Sequence, residues 1–415
     1  MRANVPFLKA GHLPTLISAF LYFDVSFMIW VLLGALGNYV AADFELSPAQ
    51  KGFMTAVPLL GGSLLRLVFG QLADRIGGKR TGCIGLVATL IPLLAGWLWA
   101  DSISKVYLVG LLLGVAGASF AVALPMASRW YPAKYQGLAM GIAGAGNSGT
   151  LLATLFAPRL AEAYGWHAVF GLAILPLAIV TVIFMIFAED ASQPARRQSS
   201  AEFLAVLKER DTYLFSFFYG VTFGGFVGLA SFLSIYLRDQ YGVSKIHAGD
   251  LTSLCVLSGS FLRPIGGLLA DKLGGIRMLT ILFGVVGLLV LAVAQTTSLM
   301  VAVSLFFLVM ACLGAGNGSV FQLVPQRYGN QVGAATGILG AAGGFGGFLL
   351  PTLLGSFKQA AGSYAFGLMA FAGLAVVALV CLLIAQRNWI GNWIAEHERV
   401  RPVTVVVPTR EVEAF

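Results

Sequence analysis

Two arginines, Arg66 and Arg263, stand inside long apolar stretches, and a guanidinium in such surroundings needs a partner. Each lies eight positions before an aspartate, Asp74 and Asp271, at the end of its stretch. At the rise of an α-helix, eight positions put each arginine about 12 Å inside a membrane span, near the bilayer middle. A charge there is costly unless it is paired or faces a polar cavity. Snorkelling to the headgroups or pairing with a buried acid would serve for one arginine. For two at matched positions, with one acid in any span, an anion held by planar donor forks is the simpler partner. That acid is Asp24, in Leu21-Tyr22-Phe23-Asp24-Val25-Ser26. It has two readings: a proton site that loads and unloads during transport, or an ionised counter-charge beside an arginine or a polar group of a span. Asn147 and Asn317 are set in the glycine-rich runs Gly144-Ala-Gly-Asn-Ser-Gly149 and Gly314-Ala-Gly-Asn-Gly-Ser319, and a third such run covers Gly340–Gly347. The glycines let helices approach closely, whereas an amide in a span needs partners and can donate to an anion.

The elements that position these residues must cross a membrane. Of 415 residues, 58% are hydrophobic and 11% charged, with a mean hydropathy of +0.86; soluble domains carry about 25% charged residues. Uncharged runs of spanning length cover 81–100, 106–128, 135–158, 168–188, 212–237, 328–357 and 359–386. The run 278–326 holds two helices around the turn Gln295-Thr-Thr-Ser298, and 13–41, 50–72 and 249–270 carry one charge each. This predicts an all-α membrane protein of twelve transmembrane helices in two pseudo-symmetric six-helix bundles, 1–188 and 213–388. A cytoplasmic linker, 189–212, and a cytoplasmic tail, 389–415, complete the chain. Eighteen of the 26 Lys and Arg fall in the terminal segments and the loops on their side, against six in the opposite loops. The positive-inside rule then places both termini in the cytoplasm, in a plasma or inner membrane.

Several functions are excluded. The net charge of +8 is dispersed among loops, which argues against nucleic acid. Cys83, Cys255, Cys312 and Cys381 fall in spans and read as core residues, and the four histidines lie at or beyond span ends without metal-ligand spacing. One carboxylate and no histidine pair do not make the nucleophile and base of a membrane enzyme. Neither a cofactor nor a removable signal peptide is expected, and the protein is expected to act as a monomer.

The two halves repeat. Gly70-Gln-Leu-Ala-Asp74-Arg75-Ile-Gly77-Gly78-Lys79-Arg80 recurs 197 residues later as Gly267-Leu-Leu-Ala-Asp271-Lys272-Leu-Gly274-Gly275-Ile-Arg277, and the same shift relates Arg66 to Arg263. This doubled loop resembles the signature of the major facilitator superfamily. The resemblance implies two six-helix bundles that rock about a midplane site, a motion that two packings of similar energy permit. Together with the arginines, the Gly-Asn runs resemble the nitrate/nitrite porter family, as do Tyr219-Gly-Val-Thr-Phe223 and Phe120. By that likeness Arg66 and Arg263 bind the anion, Tyr219 hydrogen-bonds it, Phe120 and Phe223 stack on its faces, and Asn147 and Asn317 shape the site or complete it. Asp74, Arg75, Asp271 and Lys272 form the gating motif that latches the cytoplasmic side; helix capping is the plainer role for the two acids. The implied activity is nitrate or nitrite transport, as proton symport or as exchange. A porter of another small anion, such as a carboxylate, is the rival. A drug exporter has no use for two midplane arginines.

Overall fold

A computed structural model describes residues 6–191 and 200–394; 192–199 of the expected linker and most of the expected tail, 395–415, lie outside the described residues. The described residues are helical and contain no strand. Among the described residues, eleven helices are long and apolar enough to cross a membrane. The remaining crossing, span 5, is broken into Ala133–Gly144, a tight 3-10 turn Ala145–Ser148, and Gly149–Tyr164. The run 135–158, read as one crossing, therefore has a break at its glycines. Span 1 begins as Leu13–Trp30 and continues in two short helices to Asp43.

The repeat is reproduced in the lengths of two pairs of spans. Span 2, Pro48–Ile76, and span 8, Lys245–Leu273, are each 29 residues long, and span 3, Gly78–Leu98, and span 9, Gly275–Gln295, are each 21. Ser47 caps span 2 by accepting from the Gln50 N–H, and Ser244 caps span 8 by accepting from that of His247. Such caps satisfy amides that the helix leaves unpaired. Gly77 and Gly274 turn the chain into the next span at φ 93° and 89°, where a side chain would be strained. The remaining spans are span 4 (Ile103–Arg129), span 6 (Trp166–Phe187), span 7 (Arg210–Tyr241), span 10 (Leu299–Tyr328), span 11 (Val332–Ala361) and span 12, whose helix Ala365–Asn392 runs past residue 388. A short helix, Ser200–Lys208, occupies part of the stretch read as linker.

The two ends of the bundle are joined differently. At the end carrying the turns between spans 1 and 2 and between spans 7 and 8, polar bonds cross between the halves. Lys51 pairs with Asp239 at 2.9 Å, Arg159 grips both oxygens of Asp250 at 2.6 and 3.0 Å, and the Asn38 amide donates to the Ser234 carbonyl at 3.0 Å. At the opposite end the ion pairs stay within a half. Asp74 accepts from Arg129 at 2.7 Å, and Arg327 binds Asp211 and Glu209. Asp271, Arg75 and Lys272 have no ion-pair partner among the described residues. Of the four residues expected to latch the cytoplasmic side, Asp74 alone is ion-paired among the described residues, inside its own half.

Candidate functional site

Arg66 comes off span 2 into the seam between the halves and is 0% exposed. Its Nε donates to the Gly117 carbonyl of span 4 at 3.0 Å, and one Nη donates across the seam to the Gly340 carbonyl of span 11 at 2.7 Å. Aromatic rings surround its charge: the guanidinium carbon lies 4.9 Å from the centre of Trp30 and 5.0 Å from those of Phe120 and Phe223. Ring faces are electron-rich and partly replace the hydration that burial removes. Trp30 is itself fixed by donating to the Pro58 carbonyl at 2.6 Å.

Arg263 is 8% exposed and reaches the same ring from the other half, its guanidinium carbon 5.7 Å from the Phe120 centre. The two arginines are close enough to repel each other, and Tyr219 faces both. No carboxylate pairs with either arginine among the described residues. Among the described residues, the remaining Nη of Arg66 and one Nη of Arg263 are buried without a hydrogen-bond partner, and the Tyr219 hydroxyl, which faces Arg263, has no acceptor for its own proton. Unmatched buried donors are expensive, and three gathered at one place in a net positive setting suit an anion.

Span 7 supplies Tyr219 just before a π-helical turn, Gly220–Gly224, and Phe223 within it. Wider turns of this kind are frequent at functional sites. The two rings stack 5.0 Å apart at 8°, and Phe321 of span 10 stands edge-on to Tyr219 at 5.0 Å. Their close contact requires Gly343 of span 11, where a Cβ would lie 2.6 Å from the Tyr219 ring.

Asn147 lies in the 3-10 turn of span 5 and Asn317 in span 10; both are 1% exposed, and the Asn147 oxygen and both Asn317 side-chain polar atoms lack partners. Neither amide bonds an arginine. Gly318, next to Asn317, presses on the Arg263 backbone carbonyl, which places that amide beside the turn bearing Arg263. Asp24 accepts from the Ser148 hydroxyl at 2.6 Å, while Gly149 lies so near the Asp24 carbonyl that no side chain fits there. The aspartate therefore joins span 1 to the break in span 5, with a polar group of a span as its partner. Asp74, Arg75, Asp271 and Lys272 sit at the helix ends, apart from this cluster.

Sequence reasoning missed Trp30, Phe321, Ser148 and the Gly117 and Gly340 carbonyls. Phe321 carried a signal, because it follows Asn317 by four residues and shares its helix face. No group of three or more metal-binding side chains occurs among the described residues.

A family model described as Major Facilitator Superfamily matches residues 18–351. A Bacillus subtilis (strain 168) protein named "Nitrite extrusion protein" is 34% identical over 86% of this chain and 90% of its own length. A Mycobacterium tuberculosis protein named "Probable nitrate/nitrite transporter NarK2" is 34% identical over 88% of this chain and 94% of its own. Among solved structures, a bacterial homologue of the human lysosomal transporter Spinster, in an inward-facing and occupied conformation, superposes with a TM-score of 0.67 at 20% identity, covering 91% of this chain and 97% of that one; it shares the fold.

Proposed function

The chain belongs to the Major Facilitator Superfamily, in its nitrate/nitrite porter family, and we propose that it carries nitrate and nitrite by alternating access, binding the anion between Arg66 and Arg263. The observation that carries this reading is the pair of buried guanidinium groups, one from each half, without an acid and each with an unused donor. A planar oxyanion fits both forks, and the Phe120 and Phe223 rings offer it flat faces. Tyr219 adds an uncharged donor. Asn147 and Asn317 bring further polar atoms to the walls around it. With both termini in the cytoplasm, the end tied across the halves by Lys51, Asp239, Arg159 and Asp250 faces outward, so the conformation is closed to the outside. Opening outward must break those pairs. The gating motif re-forms at the other end as the bundles rock.

Exchange of one anion for another is the mechanism these charges favour. A carrier without its anion would bring two repelling guanidinium groups together in a low dielectric, where repulsion is weakly screened. Proton symport is the second reading, resting on Asp24, which accepts from the uncharged Ser148 hydroxyl and Gly149 backbone N–H and faces no cation there. Nitrate uptake into vesicles of the purified protein tests both. Preloading with nitrite is expected to accelerate uptake and an inward proton gradient to leave it unchanged. Acceleration by the gradient, lost in Asp24→Asn, would assign symport instead.

A further inference from the structure

The two flanks of the site are built from matched residues. Spans 2 and 8 correspond at a shift of 197, which pairs Ser63 with Ser260 and Arg66 with Arg263. Spans 5 and 11 correspond at 196, where Gly141-Ile-Ala-Gly144-Ala145 matches Gly337-Ile-Leu-Gly340-Ala341. On the first flank Arg66 donates to the Gly340 carbonyl and the Ser63 hydroxyl to that of Ala341. On the second, Arg263 stands opposite Gly144 in the corresponding place, its guanidinium carbon 3.9 Å from where a Cβ on Gly144 would lie. Yet the Ser260 hydroxyl donates to nothing among the described residues.

Ser260 is 2% exposed, so water does not satisfy it from the surface. Helical serines commonly donate to a carbonyl one turn back, as Ser258 does to Cys255 at 2.7 Å, and Ser260 forgoes that bond. Residues three apart share a helix face, and an arginine leans toward the N-terminus of its helix, over the preceding turn. That geometry brings the Arg263 guanidinium past the turn carrying Ser260.

We infer that Ser260 is a substrate-binding residue that distinguishes nitrate from nitrite, donating its hydroxyl to the oxygen nitrate has and nitrite lacks. The inference rests on the anion site proposed above. Both anions are planar and singly charged, so the arginines hold them on similar terms. A neutral donor adds no charge attraction, and it rewards only the anion with an oxygen in the right place. A site with a buried donor matched to one group of a substrate discriminates against the analogue without that group.

The experiment compares KM for nitrate and for nitrite in vesicles of the unaltered protein, Ser260→Ala and Ser63→Ala. Ser260→Ala is expected to raise KM for nitrate about tenfold and to change KM for nitrite by about twofold or less, since a hydrogen bond to a charged group is worth roughly one decade or more. Retained nitrite uptake shows that the variant is folded. Ser63→Ala, whose hydroxyl is already engaged by Ala341, leaves the ratio of the two KM values as it was. A Ser260→Ala ratio equal to that of the unaltered protein overturns the inference, whether both anions are unaffected or both are weakened alike. Unaltered protein that moves neither anion overturns the anion site itself, a result distinguishable from the other.

Discussion

Arg66 and Arg263 occupy equivalent places in the repeat, but their surroundings differ. Arg66 is held by two backbone carbonyls and ringed by Trp30, Phe120 and Phe223, with Ser63 bonded one turn away. Arg263 shares the Phe120 ring and has the unpartnered Ser260 one turn away. Duplication supplied the same side chains twice, and the seam ties one set to carbonyls of the opposite half while the other set has no such bond. The cause lies in span 11, whose unbroken helix presents Gly340 and Ala341 to span 2, whereas span 5 breaks into a 3-10 turn at the matching place. An anchored charge gives a site its shape, and a freer one can follow the anion as the halves rock.

This contrast can be broken by substitution, beginning with the largest effect. Arg66→Lys is expected to abolish uptake and also to destabilise the protein by about 2 kcal/mol or more, because an ammonium cannot keep both carbonyl bonds. Thermal unfolding in detergent checks the second effect. Arg263→Lys is expected to reduce uptake by about 100-fold, through the lost fork, while the melting temperature stays near that of the unaltered protein. Equal loss of stability in both variants would erase the distinction between the anchored arginine and the freer one. Gly343→Ala should cost ~1–3 kcal/mol, since its Cβ would force apart the Tyr219 and Phe223 rings, 2.6 and 2.9 Å away. Gly340→Ala puts a methyl 3.4 Å from Phe120 and should impair uptake slightly, whereas Gly144→Ala, with nothing nearer than 3.9 Å, should leave it nearly intact. Uptake rates for the pair read the tight flank against the loose one.

Much of this was legible in the sequence. Charges stand out in apolar stretches, so Arg66, Arg263 and Asp24 announce themselves, and a fixed shift of 197 foretells two matched bundles. The same composition hides the rest. Trp30 is one aromatic among many in the spans, and nothing in its spacing shows that it lies on Arg66. Serines are ordinary in membrane helices, and Ser63 and Ser260 differ only through what the opposite half offers them. The break in span 5 was hidden because glycines that allow close packing and glycines that admit a tight turn read alike until the Asp24 backbone is found against Gly149. Contacts across the seam depend on how two bundles dock, which local pattern does not encode.

The most direct test is a calorimetric titration of nitrate into the purified protein and into Arg66→Lys and Arg263→Lys. A two-arginine site requires one saturable anion per chain in the unaltered protein and no measurable binding in either variant. Undiminished binding by both lysine variants would show that the anion is held elsewhere.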